Sequence, residues 1–432
     1  MINLSINRDL YLEKLKNRMN NGMIKIITGM HRCGKSFLLF NIFYNYLLSA
    51  GVKEKNIIAL DLEEDENVIY REPHALSQYI KSKISSNEQY YVLLDEVQYA
   101  ISSTDVKSDK PLPLYGVLNG LLNKMNVDVY VTGSNSRFLS SDVRTEFRGR
   151  GDEVRIRPLS FSEFMSVYEG DKYEGLRDYM TYGGLPQITY FKTHEQKAAY
   201  LKRLFDETYI KDVIERYGVK RNADEFGEII DILSSSIGSL TNSLKLSNTF
   251  KSIKNKSITN VTIAKYIDYL QDSFLIDEAK QYDVKGKKYI NSPKKYYFTD
   301  LGLRNARLNF RQMEETHAME NVIYNELKLR GYSVDVGIVE KREKSPDERS
   351  LRKRYEIDFV ANQGYKRYYI QSALSMPTLE KENQEQRSLV SVNDSFKKII
   401  VVGGMTPLHY NDNGVLIMSI YDFLLNNESL DV

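Results

Sequence analysis

Residues Gly29 to Ser36 read G-M-H-R-C-G-K-S and fit the pattern G-x-x-x-x-G-K-[ST]. The pattern demands a strand before it and a helix after it. Both are in place: M-I-K-I-I-T runs from Met23 to Thr28, and F-L-L-F-N-I-F-Y-N-Y-L-L follows from Phe37. Glycines admit the backbone angles that turn successive N–H groups inward, and a helix N-terminus adds partial positive charge. The loop formed by Gly29, Met30, His31, Arg32, Cys33 and Gly34, with Phe37 opening the helix, is therefore read as a phosphate cradle. Lys35 supplies a point charge for the β- and γ-phosphates, and Ser36 a hydroxyl ligand for Mg2+. ATP with Mg2+ is the expected ligand pair.

Composition bounds the rest. A chain of 432 residues exceeds one ordinary core and predicts two to three domains. Sixty basic against fifty-eight acidic side chains leave a formal charge of +2, so any nucleic-acid surface must be local. Cys33 is the only cysteine, which excludes an intramolecular disulfide and a cysteine-cluster metal site and fits a reducing cytosol. No window approaches the roughly 18 apolar residues of a membrane span, and Met1 to Asn20 is polar rather than signal-like. The expectation is a cytoplasmic protein with no membrane partner.

Asn7 to Asn20 has helical spacing and leads into the first strand, where it could flank the nucleotide base. Asn56 to Asp61 (N-I-I-A-L-D) predicts a second buried strand, and Tyr90 to Glu96 (Y-Y-V-L-L-D-E) a third ending in two carboxylates. An ATPase of this kind needs an acid at a strand's C-terminal edge to hold Mg2+ through water, and a neighbouring carboxylate to orient or deprotonate the attacking water. Asp95 suits the first role and Glu96 the second. Val127 to Thr132 predicts a fourth strand; Ser134 or Asn135 after it could fix the attacking water, or simply form a turn. Arg144, Arg148 and Arg150 precede a fifth strand at Glu153 to Arg157, and read either as a finger on a neighbour's nucleotide or as a solvated basic turn.

Taken in order, G-M-H-R-C-G-K-S, L-L-D-E-V-Q, V-T-G-S-N-S, F-R-G-R, R-P-L-S-F-S-E-F (Arg157 to Phe164), Y-G-G-L-P (Tyr182 to Pro186) and T-Y-I-K-D-V-I-E-R-Y (Thr208 to Tyr217) resemble the bacterial and archaeal AAA-type ATPases that carry an appended C-terminal domain of unknown function. The resemblance implies an α/β P-loop fold with a parallel five-stranded core, and water activation by Glu96. His31-Arg32 stands where that family often has two arginines. The expected boundaries are 1–160 for the ATPase core, 161–217 for a helical lid, 218–310 for a winged helix and 311–432 for a final α/β domain.

The helices of 222–270 followed by a small hairpin suggest the winged helix, which the resemblance also implies. Lys280, Lys285, Lys287, Lys288, Lys294 and Lys295 interleave with tyrosines along that hairpin. They read as a DNA-binding wing or as lysines guarding an exposed sheet edge. DNA, a protein partner or further copies of the chain are thus the open partners. Beyond residue 311, Glu320 on a predicted helix, Asp358 in E-I-D-F-V and the strand Y-Y-I-Q-S-A resemble a restriction-endonuclease-like core. There the resemblance implies a metal held by a helix glutamate and two strand acids beside a water-activating lysine. Gln371 stands at the second acid and Ala373 at the lysine, so the expectation is an inactive fold retained for binding. An ATP-regulated nuclease and a nucleotide-gated scaffold with negligible turnover are the rival readings.

Overall fold

The computed structural model of the chain describes residues 6–85, 87–102, 112–133, 149–254, 258–311, 314–344 and 350–432. Five strands near the N-terminus, β1 (Ile24–Gly29), β2 (Ile57–Asp61), β3 (Tyr90–Asp95), β4 (Val127–Thr132) and β5 (Gly151–Ile156), form one sheet in the order β2-β3-β4-β1-β5. Every pairing is parallel. The strands read as apolar runs because parallel sheets are covered on both faces. All six residues of β1, β3 and β4 are buried. Helices Pro73–Lys83 and Pro113–Leu122 close one face with Leu76, Ile80, Leu114 and Leu118 against Ile26, Val92 and Val129. The one lysine in β1, Lys25, is buried in an ion pair with Asp128 of β4, which is why a charge is tolerated there. The parallel five-stranded core and its helices agree with the sequence reading.

By contacts the chain divides into two compact units, and neither is continuous in sequence. The first holds residues 1–158, 206–220 and 272–274; the second holds 159–205, 221–271 and 275–432. The residues read as a lid are thus shared out: 161–205 pack within the second unit, 206–217 within the first.

The second unit is built on an eight-stranded mixed sheet. Its strands are β6 (Ile276–Asp283), β7 (Lys288–Phe298), β8 (Ser333–Lys344), β9 (Ser350–Gln363), β10 (Lys366–Ala373), β11 (Lys397–Val402), β12 (His409–Tyr410) and β13 (Leu416–Ser419), ordered β12-β13-β11-β10-β9-β8-β6-β7. The hairpin read as a wing is its end: β6 pairs with β7 on one side and, in parallel, with β8 on the other through Gln281↔Val336 and Asp283↔Ile338. Val284 at its turn is buried in one cluster with Ile357, Tyr369 and Leu389. Helices Ala223–Ser235, Ser243–Lys254 and Asn260–Asp272 precede the hairpin, and helix Glu315–Leu329 follows it.

The Y-G-G-L-P segment has a structural explanation within this unit. Asp300, fully buried, accepts from Gly184 N at 2.8 Å and from Leu303 N at 3.0 Å, capping helix Leu301–Arg307. Gly183 has φ +75°, and a Cβ there would meet Asp300 Oδ1 at 2.2 Å. Only glycine admits both the angle and the carboxylate.

Candidate nucleotide site

The phosphate loop leaves β1 at Gly29, beside the end of β5. A Cβ on Gly29 would meet Ile156 O at 2.4 Å, so the two strand ends can lie this close only with glycine. Arg32 (φ +62°) and Gly34 (φ +98°) turn the chain back into the helical turns Lys35–Phe37, Leu38–Phe43 and Tyr44–Ser49. The middle turn is π-helical, a local widening found often at functional sites. Lys35 is buried and donates to Gly29 O at 3.3 Å and Met30 O at 3.2 Å, so its ammonium is held against the loop's own backbone. Cys33 is fully buried, with Sγ 3.8 Å from Ile156 O, and burial pushes its thiol up; it is a packing group of the loop.

Arg8 and Asp212, to which the sequence reading gave no role, both contact this loop. Arg8, just before helix Asp9–Lys16, donates to Cys33 O at 3.1 Å and to Arg157 O at 2.7 Å, tying loop and β5 together. The N-terminal helix is where helical spacing placed it. His31 Nε2 lies 3.2 Å from Asp212 Oδ2 on helix Lys211–Tyr217, which belongs to the same unit.

Asp95 ends β3 with no exposed surface. Its Oδ1 accepts from Thr132 Oγ1 on β4, whereas Oδ2 is buried without a hydrogen-bond partner. Burial pushes its carboxyl up to about 6; the nearby hydroxyls of Ser36 and Thr132 work against that, and the charges of Glu96 and Asp61 add to it. A buried carboxylate oxygen lacking a partner, next to a hydroxyl at a helix N-terminus, is the donor set that suits Mg2+. Glu96 follows with φ +49° and ψ +49°, a left-handed conformation uncommon for residues other than glycine, asparagine and aspartate. Its N–H donates to Thr132 Oγ1 at 3.1 Å, and its Oε2 accepts from Gln98 Nε2. Gln98 was in plain view in L-L-D-E-V-Q but carried no assigned role. Thr132 joins the site only because β4 lies next to β3.

Asn135 and Arg148, with Ser134 and Arg144, fall outside the described residues. Arg150 is exposed, and its carbonyl accepts from Ile24 N at the start of β1. It lies about six residues of strand, roughly 20 Å, from the phosphate loop. Its guanidinium therefore stands at the opposite end of the sheet from its own chain's cradle.

In the second unit, Glu320 and Asp358 come together, as read, but not around Gln371. Ser388 Oγ donates to Gln371 Oε1 at 3.4 Å, turning that amide toward helix Leu379–Val390. The ammonium that the sequence reading found missing at position 373 is present from elsewhere. Lys295 Nζ on β7 lies 2.8 Å from Glu320 Oε1, 2.7 Å from Glu356 Oε1 and 3.7 Å from Asp358 Oδ1. Glu356 was overlooked, although the two-residue spacing of E-I-D puts it on the same strand face as Asp358. Lys295 carries no local signal, because in sequence it is one of several lysines on the hairpin, yet it is 3% exposed.

Two family matches cover successive parts of the chain. Residues 21–165 match the AAA domain family, and residues 173–314 match a domain of unknown function, DUF8612. An uncharacterized protein of Haemophilus influenzae is 32% identical over 426 residues, spanning 97% of this chain and 98% of that protein. One of Methanocaldococcus jannaschii is 25% identical over 96% of this chain and 88% of its own length. Among solved structures, a Walker-type ATPase of Pyrococcus abyssi aligns with 70% of this chain and 96% of its own, at 16% identity and a TM-score of 0.47. No described helix is long and apolar enough to cross a membrane. With its phosphate loop, parallel core and AAA match, the chain belongs to the AAA-type P-loop ATPase family whose members carry a C-terminal domain of unknown function.

Proposed function

We propose that the chain binds Mg·ATP in its first unit, hydrolyses it, and couples turnover to rearrangement of the second unit, whose partner is DNA or another protein. The observation that carries this reading is the pairing of Asp95, with its buried unpartnered Oδ2, and the constrained Glu96 at the edge of the sheet that holds the phosphate loop. In this reading the backbone N–H groups of the loop and the Lys35 ammonium take the phosphates, with Lys35 exchanging Gly29 O and Met30 O for phosphate oxygens. Ser36 and Asp95 hold Mg2+, which neutralises charge on the phosphate oxygens when bound. Glu96, fixed by Gln98 and by Thr132, orients the attacking water and accepts its proton. Lys280 and Lys294 pair with Glu278, Lys285 donates to Glu340 O and Lys295 is buried, so a DNA contact on the hairpin falls first to the exposed Lys287 and Lys288.

Calorimetric binding of ATP with and without Mg2+ tests the site directly. Wild type should bind more tightly with Mg2+, Lys35→Ala should lose binding in both conditions, and Asp95→Asn should lose only the Mg2+ enhancement. Equal ATP affinity in wild type and Lys35→Ala would place the nucleotide elsewhere.

A further inference from the structure

The cluster around Lys295 draws on three separate parts of the second unit. Glu320 comes from helix Glu315–Leu329, Glu356 and Asp358 from β9, and Lys295 with Tyr297 from one face of β7. Tyr297 OH donates to Glu320 Oε1 at 2.6 Å, and Ser372 N donates to Asp358 Oδ2 at 2.8 Å. The side chains of Lys295, Glu320 and Asp358 are 4%, 7% and 10% exposed, while Glu356 reaches solvent at 34%. An ammonium taken out of water at such a depth persists only where carboxylates surround it. Burial alone would lower the pKa of Lys295, but Glu320, Asp358 and Glu356 more than offset it, and the group is shifted upward. Asp358 is moved up by burial and by Glu320, against the pull of Lys295.

We propose that the Lys295 ammonium is the resident cation of this cluster, filling the seat that a divalent ion would need and keeping the second unit a closed, metal-free scaffold. The geometry favours an occupant over an assistant. A lysine that activates water in phosphodiester cleavage stands beside the metal, whereas Lys295 Nζ is within 2.8 Å of an oxygen from each of two carboxylates and 3.7 Å from a third. A hard cation needs several of those same oxygens at roughly 2.0–2.6 Å. Among the described residues, no group of three or more His, Cys, Asp or Glu is placed to hold a metal. The ion pairs also fasten β7 to the helix and to β9, across strands β6 and β8 that separate β7 from β9 in the sheet order. The resting nuclease-like fold would then be inactive through a filled site, and not through the loss of a lysine at position 373.

The test is Mn2+ binding to the full chain without nucleotide, by calorimetry and electron paramagnetic resonance. All proteins would carry Asp95→Asn, so that the first unit loses its carboxylate ligand for the metal. The parent should bind no Mn2+. Lys295→Met should gain one Mn2+ per chain and a metal-dependent rise in melting temperature, and adding Glu320→Gln should abolish both. One Mn2+ bound by the parent and lost with Glu320→Gln would overturn the proposal, in favour of a metal site that works alongside Lys295. So would a folded Lys295→Met chain that binds none. If Lys295→Met lacks a cooperative melt in the absence of metal, recovery of that melt on adding Mn2+ supports the proposal. Failure of Lys295→Gln, which keeps a polar side chain, to bind Mn2+ while folded counts against it.

Discussion

Glu96 holds a left-handed backbone angle, and its carboxylate and N–H are each tethered, to Gln98 and to Thr132. A carboxylate that orients water gains from being held in one place, since small losses of alignment cost rate. Gln98 is therefore a positioning residue in the proposed reaction. Gln98→Ala should lower kcat about tenfold with little change in KM, measured by steady-state phosphate release; a change confined to KM would assign Gln98 to nucleotide binding instead. At this scale much of the site was legible. The loop, and Asp95 with Glu96, announce themselves by motif because the residues within each motif lie at fixed, short spacing along the chain. Thr132 and Arg8 did not, because they reach the site through strand order and long-range packing, which local patterns do not encode.

Among the elements, the turn at Gly183-Gly184 and the cap at Asp300 form one piece of structure. Burial pushes the Asp300 carboxyl up to about 6, against hydrogen bonds from the N–H groups of Gly184, Leu303, Gly302 and Leu185 that pull it down. The folded state thus holds this proton more tightly than the unfolded chain does. Stability from Asp300 is fully present below its unfolded value near 4 and is lost as pH rises through about 6. The distance between those two values is equivalent to about 3 kcal/mol of folding free energy. Asp300→Asn does not titrate, so the stability of wild type relative to this variant should fall by about 2 kcal/mol from pH 4 to pH 7 in urea unfolding. Parallel pH profiles would contradict the assignment. The hairpin shows the opposite limit of legibility. A small hairpin after the helices was readable, but its pairing with β8, more than fifty residues on, was not. That pairing turns a wing into the end of a larger sheet, with Lys295 drawn inside.

For the whole molecule, the sequence divides in one way and the contacts in another. The chain leaves its first unit at residue 158 and returns for 206–220 and for 272–274. Within that unit, His31 of the phosphate loop meets Asp212, and Arg155 of β5 lies over Phe274 at 4.8 Å, so both returning segments touch the strand-and-loop assembly that builds the cradle. Composition and motif order could not reveal this, because each returning segment is short and reads locally as helix or turn. In the proposed function, nucleotide chemistry is the input and the second unit is the responding part. Phosphate release from Mg·ATP by the full chain, wild type against Glu96→Gln, decides whether hydrolysis runs through Glu96. Glu96→Gln should retain ATP binding and lose turnover by about a hundredfold or more. Turnover by Glu96→Gln at the wild-type rate would contradict it.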